Sequence, residues 1–180
     1  NIKEEITIFG DDDDIWHPER IEKIYNILIK TNSPSLVRHP FNNLINKEVV
    51  KCKQIYNKSI SLNQGLISNY YGGGSTIAGH TNVFRVISFN ESLPFCQDWD
   101  FWLRVDLANI EIHTINMPLV TYRIHENRMT GSYTKNFIWE SKIRFSLIKR
   151  ALNVITFSFF GFIKSFLQII AKNMIRLIRN

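Results

Sequence analysis

The pattern of apolar positions starts almost at once, and the run Ile6, Thr7, Ile8 and Phe9 predicts a strand. An acidic turn follows. Pro18-Glu19-Arg20 then opens a helix, in which Ile21, Ile24, Tyr25 and Leu28 recur at i, i+3, i+4 and i+7. Residues 31–60 are punctuated by Asn, Ser and Pro and read as loops with one or two short elements. Tyr70-Tyr71-Gly72-Gly73-Gly74-Ser75 reads as a flexible junction, and residues 82–89 alternate enough to pass for a strand. A loop over residues 90–97 leads into an amphipathic helix over 99–107. Short strands are expected at 110–115 and 118–124. This order of elements predicts a mixed α/β body.

With 180 residues, 44% of them hydrophobic and 21% charged, the chain has the composition of one globular domain with appendages. The first strand begins almost at once, so a truncated or processed start is expected. Residues 1–135 are read as the body and 136–180 as a basic helical tail. Cys52 and Cys96 have no CxxC partner and no zinc-like histidine spacing, so neither a zinc site nor a disulfide framework is indicated.

The net charge of +6 belongs to the tail. No acidic residue follows Glu140, whereas residues 141–180 carry Lys142, Arg144, Lys149, Arg150, Lys164, Lys172, Arg176 and Arg179. The lysines of the body are scattered rather than clustered, which argues against nucleic acid as a partner. The apolar runs of the tail fall short of the roughly 20 residues that span a bilayer. On a helical wheel the six cations from Lys149 onward fall within one half-turn, the pattern of a helix lying on an anionic membrane surface. Packing against the chain's own domain or a partner is the competing reading.

Three constellations could carry chemistry. Gly10-Asp11-Asp12-Asp13-Asp14 gathers four carboxylates at a strand end, where alternate residues such as Asp11 and Asp13 can aim at one hard cation. The run equally fits a solvated turn that caps the next helix. In Cys96-Gln97-Asp98-Trp99-Asp100-Phe101-Trp102-Leu103-Arg104, Asp98 can serve as a general base at a helix start or simply as an N-cap. In Tyr122-Arg123-Ile124-His125, the His and the Arg can contact metal or phosphate, although a lone His is more often structural.

Taken in order, these segments resemble glycosyltransferase family 2. The segment Phe9-Gly10-Asp11-Asp12-Asp13-Asp14-Ile15-Trp16 with Pro18 resembles that family's strand-end metal motif. Gly79-His80-Thr81-Asn82-Val83-Phe84-Arg85 resembles the stretch leading to its acceptor site, and Gln97-Asp98-Trp99-Asp100-Phe101-Trp102-Leu103-Arg104 its acidic helix start. Pro118-Leu119-Val120-Thr121-Tyr122-Arg123-Ile124-His125 resembles its closing strand. Gln97 stands where the family usually has Glu, and the family's N-terminal half has no counterpart here.

The resemblance implies a GT-A-like mixed sheet lacking that half, and an inverting transfer from a nucleotide-sugar donor, UDP- or dTDP-linked, to a saccharide or lipid-linked acceptor. It implies Mg²⁺ or Mn²⁺ held by Asp11, Asp13 and His125, donor contacts from Asp12, Asp14 and Arg123, Asp98 as base, and acceptor contacts from Thr81, Trp99 and Asp100. With the tail, it implies a cytoplasmic enzyme of bacterial surface-polysaccharide synthesis, peripheral on the inner face of the cell membrane through 141–180. The alternative is a truncated or degenerate, non-catalytic membrane-associated module.

Overall fold

The structure is a computed structural model, and it describes residues 5–51, 62–124, 133–152 and 167. The elements run β1 (Ile6–Ile8), β2 (Ile15–Trp16), α1 (Arg20–Leu28), β3 (Ser35–Arg38), β4 (Phe41–Ile45), β5 (Glu48–Val50), α2 (Leu62–Ile67), β6 (Ala78–His80), α3 (Thr81–Val86), α4 (Gln97–Leu107), β7 (Glu111–Thr114), β8 (Val120–Arg123) and α5 (Tyr133–Leu152). A 3₁₀ turn, Gly74–Thr76, precedes β6.

Two mixed four-stranded sheets result, ordered β1-β6-β3-β7 and β2-β8-β4-β5. In the first, β6 runs antiparallel to β1 and β3, while β7 runs parallel to β3. In the second, β8 is parallel to β4 and antiparallel to β2. The chain passes directly from the first sheet to the second three times: at Gly10–Asp14 between β1 and β2, at His39-Pro40 between β3 and β4, and between β7 and β8. The acidic run is therefore one of three crossings at the seam between the sheets. Ile115 N–H to Arg38 O (3.0 Å) and His17 N–H to Leu119 O (3.0 Å) tie the crossings together.

All four residues of β3 are buried, as expected of a strand covered on both faces. Leu36 joins the larger core with Trp99, Phe101, Trp102 and Leu103 of α4, while Val37 joins the smaller core with Ile24 and Leu28 of α1. The first sheet is thus sandwiched between α1 and a layer containing α4. Ile143 and Leu147 of α5 also enter the larger core. No helix among the described residues is long and apolar enough to cross a membrane.

The strand at β1, the helices α1 and α4, and the strands β7 and β8 match the expectation from sequence. Residues 31–50 do not: they contain β3, β4 and β5 rather than mainly loop. The β4–β5 hairpin turns on Asn46 and Lys47, both at positive φ (50° and 69°), without the Gly that usually marks such a turn. The strand expected at 82–89 is instead helix α3, because Val83 and Ile87 are one turn apart and both buried. The supposed flexible junction at 70–75 is ordered and contains the buried Tyr71 and Ser75. In α1 the inward face is Arg20, Ile24 and Leu28, while Ile21 and Tyr25 are exposed. Residues 153–180, apart from Leu167, lie outside the described residues, as do Cys52 and His125.

Candidate functional site

The acidic loop is anchored from both ends. Phe9, the last residue before it, packs edge-on against Phe84 and Phe89, at ring centroid distances of 5.0 and 5.2 Å. Ser75 on the 3₁₀ turn holds the loop itself: its hydroxyl accepts from the Asp11 N–H (2.8 Å) and donates to Asp14 Oδ2 (2.5 Å). Asp14 Oδ1 also accepts from the Arg123 N–H at 3.4 Å, which brings the end of the loop to the end of β8. Burial raises the Asp14 carboxyl above its usual range against the pull of these hydrogen bonds, and Asp11 and Asp13 raise it further. Asp11, Asp12 and Asp13 are exposed.

Asp98 enters from the first turn of α4. Cys96 occupies the N-cap with φ 59°, so Asp98 stands inside the helix rather than at the cap position. Its carboxylate accepts from Asn69 Nδ2 at 2.9 Å and lies beside the backbone N–H groups of Asp98 and Trp99, which favour its charged form. Burial nevertheless raises its pKa to about 6, and the charge of Asp11 adds to the rise. Asn69 is fixed in turn by donating to Gly72 O (3.0 Å) and accepting from Tyr71 N–H (3.1 Å).

Two glycines lie between the carboxylates. A methyl group added at Gly73 would stand 3.9 Å from Asp98 Oδ2 and 2.7 Å from the Tyr122 hydroxyl. One added at the next residue, Gly74, would stand 3.8 and 3.9 Å from Asp11 Oδ1 and Oδ2. Successive residues of one loop thus border the acidic run and the α4 carboxylate. The Tyr122 hydroxyl is buried without a hydrogen bond of good geometry, and the Thr76 hydroxyl beside it donates to Gly73 O at 2.7 Å. Burial and the fields of Asp14, Asp98 and Asp11 push its ionisation above the ordinary phenol range.

The structure brings Asp11, Asp14, Asp98 and the Arg123 backbone to this seam, with Asp12 and Asp13 on the same loop. The Thr81 hydroxyl is bonded to that of Thr7 at 2.8 Å. Trp99 donates from Nε1 to Gly65 O at 2.8 Å and lies under the Arg144 guanidinium. Asp100, buried, accepts from Arg104 Nε at 2.7 Å. Each of these three has a polar atom bonded inside the protein. Sequence reasoning missed Asn69, Gly73, Gly74, Ser75 and Arg20. The one signal was the triple glycine, which marks close backbone approach as well as flexibility.

Among the described residues no three His, Cys, Asp or Glu side chains converge on a common cation position. Exposed carboxylates on one short loop instead fit a hard divalent ion that takes one or two protein oxygens and completes its shell with phosphate oxygens.

No family model matches the chain. It is 28% identical over 153 residues to an uncharacterized glycosyltransferase of Rickettsia felis, covering 78% of this chain and 25% of that protein. It is 27% identical over 129 residues to an uncharacterized glycosyltransferase of Haemophilus influenzae, covering 69% of this chain and 44% of that protein. The chain therefore spans less than half the length of these curated relatives. In fold it is similar to residues 1–349 of S. aureus TarS solved in complex with UDP, with a TM-score of 0.56, 17% identity, and coverage of 82% of this chain and 41% of that one. A second structure of S. aureus TarS 1–349 gives a TM-score of 0.51 at 15% identity, covering 94% of this chain and 56% of that one. The chain is thus similar in sequence to glycosyltransferases, and its mixed sheets share a GT-A-like fold with part of one.

Proposed function

We propose that this chain forms the cation- and acceptor-side part of a glycosyltransferase that moves a sugar from a UDP- or dTDP-linked donor to a saccharide or lipid-linked acceptor with inversion. The observation that carries the reading is the meeting of Asp98 and Asp11 across Gly73 and Gly74. A carboxylate that titrates near 6 is mostly ionised at neutral pH and still basic enough to accept a proton. In this reading Asp98 takes the proton of the acceptor hydroxyl as its oxygen attacks the anomeric carbon. The bond from that carbon to the diphosphate breaks on the opposite face, which inverts the centre. Asp11 and Asp13 would hold Mg²⁺ or Mn²⁺, which when bound would supply Lewis acidity to the departing diphosphate. Asp14, fixed by Ser75 and the Arg123 N–H, sets the loop that presents them.

The test is release of nucleoside diphosphate from a panel of UDP- and dTDP-sugars with Mn²⁺ and saccharide acceptors. Release by the wild type and its loss in Asp98→Asn are expected. Equal release by both would remove Asp98 from the base role.

Peripheral contact with an anionic membrane, on the cytoplasmic side and through residues 141–180, is part of the proposal. It is supported by the absence of acids from that segment and by its cations other than Arg144, which is buried and paired with Glu140, and by exposed Phe145 and Lys142 on α5. Co-sedimentation with vesicles containing phosphatidylserine, but not with phosphatidylcholine alone, is the expected result.

A further inference from the structure

Arg20 is fully buried, yet no carboxylate pairs with it among the described residues. Its Nη2 donates to two backbone carbonyls at once, Phe9 O at 2.7 Å and Ser75 O. Phe9 is the last residue before the acidic loop, and Ser75 carries the hydroxyl that holds Asp11 and Asp14. Trp16, just past the loop, covers the guanidinium at 4.0 Å from the ring centroid. Nε and Nη1 make no hydrogen bond.

Burying a guanidinium with two unsatisfied donors is expensive, and a Met or Leu would fill the same inward position of α1 at lower cost. Arg20 remains charged even so. Desolvation lowers its pKa to about 10, while Asp14 favours the charged form. His39, buried beside it, keeps its Nδ1 hydrogen on Pro40 O (2.9 Å) and is lowered to about 4, so it adds no second charge at neutral pH.

We propose that Arg20 is a positioning residue that clamps the acidic loop to the glycine loop from behind, fixing the placement of Asp11 on which cation and diphosphate binding depends. The clamp itself stands on the geometry, and only its consequence for ligand rests on the proposed function. The bridge needs a planar group with two N–H bonds on one nitrogen and a positive charge under Asp14. Lysine supplies the charge without the fixed fork.

The experiment compares wild type with Arg20→Lys and Arg20→Met by amide hydrogen exchange and by calorimetric titration of UDP with Mn²⁺. In the wild type the Asp11 N–H is protected by Ser75 Oγ. In both variants its exchange is expected to accelerate about tenfold or more, while the Asp100 N–H in α4, bonded to Cys96 O, keeps its protection. Affinity for UDP with Mn²⁺ is expected to fall by about tenfold. Unchanged Asp11 exchange in Arg20→Lys would overturn the clamp. Equal loss of protection at Asp11 and in α4 would overturn it too, by making Arg20 a general core residue. Absence of UDP binding by the wild type would count against the proposed function, and the exchange result would still decide the role of Arg20.

Discussion

Asn69 Nδ2 donates to Asp98 Oδ2 at 2.9 Å, and the same nitrogen donates to Gly72 O at 3.0 Å. One side chain from the segment after α2 therefore orients the α4 carboxylate and ties it to the glycine loop that faces Asp11. The bond also favours the charged carboxylate, opposing the burial that raises its pKa to about 6.

Removing that bond in Asn69→Ala should raise the Asp98 pKa further, by about one unit. A base works in its deprotonated form, so transfer by the wild type should rise with pH through about 6. The acid limb of the variant should rise later. A pH–rate profile checks this, and an unshifted limb would mean that Asn69 does not govern Asp98.

The same shift has a consequence for folding. A carboxyl raised on folding contributes stability that is fully present below its unfolded pKa, near 3.8, and is lost as pH rises through about 6. Asp98→Asn should therefore gain about 3 kcal/mol over wild type at pH 8, relative to their difference at pH 3.5. Urea unfolding at the two pH values measures it. Transfer should fall by about 10² to 10⁴ in the same variant.

Gly73 and Tyr122 should be coupled. A Cβ at residue 73 would stand 2.7 Å from the phenol oxygen, so Gly73→Ala should cost about 1–3 kcal/mol by overpacking. Tyr122→Phe removes a buried hydroxyl that lacks a good hydrogen bond, and should be close to neutral. The double variant should recover most of the loss. Additive melting-temperature changes would show that the clash is relieved elsewhere.

The outline of the fold was legible where period and punctuation agreed, as in α4, where Trp99, Trp102 and Leu103 recur on a helical face, and in β1, where four apolar or β-branched residues end at Gly10. It was illegible at β3, because Ser35-Leu36-Val37-Arg38 is buried on both faces and does not alternate. At α1 the apolar spacing pointed to Ile21 and Tyr25, while the chain buries Arg20 one position earlier. Its guanidinium finds two carbonyls there, a partnership that exists only after α1 has docked. Asp11 to Asp14 could be read from sequence because they are clustered, and Asp98 because it stands at the start of an amphipathic helix. Asn69, Gly73 and Ser75 could not, since their meaning comes from the meeting of three loops 11 to 98 residues along the chain.

Calorimetric titration of UDP, with Mn²⁺ and then with EDTA, into the wild type and Asp11→Ala tests the central claim most directly. Binding that requires Mn²⁺ and disappears in Asp11→Ala is the predicted result. Binding of equal strength with EDTA, or in Asp11→Ala, or no binding in any of these conditions would contradict it.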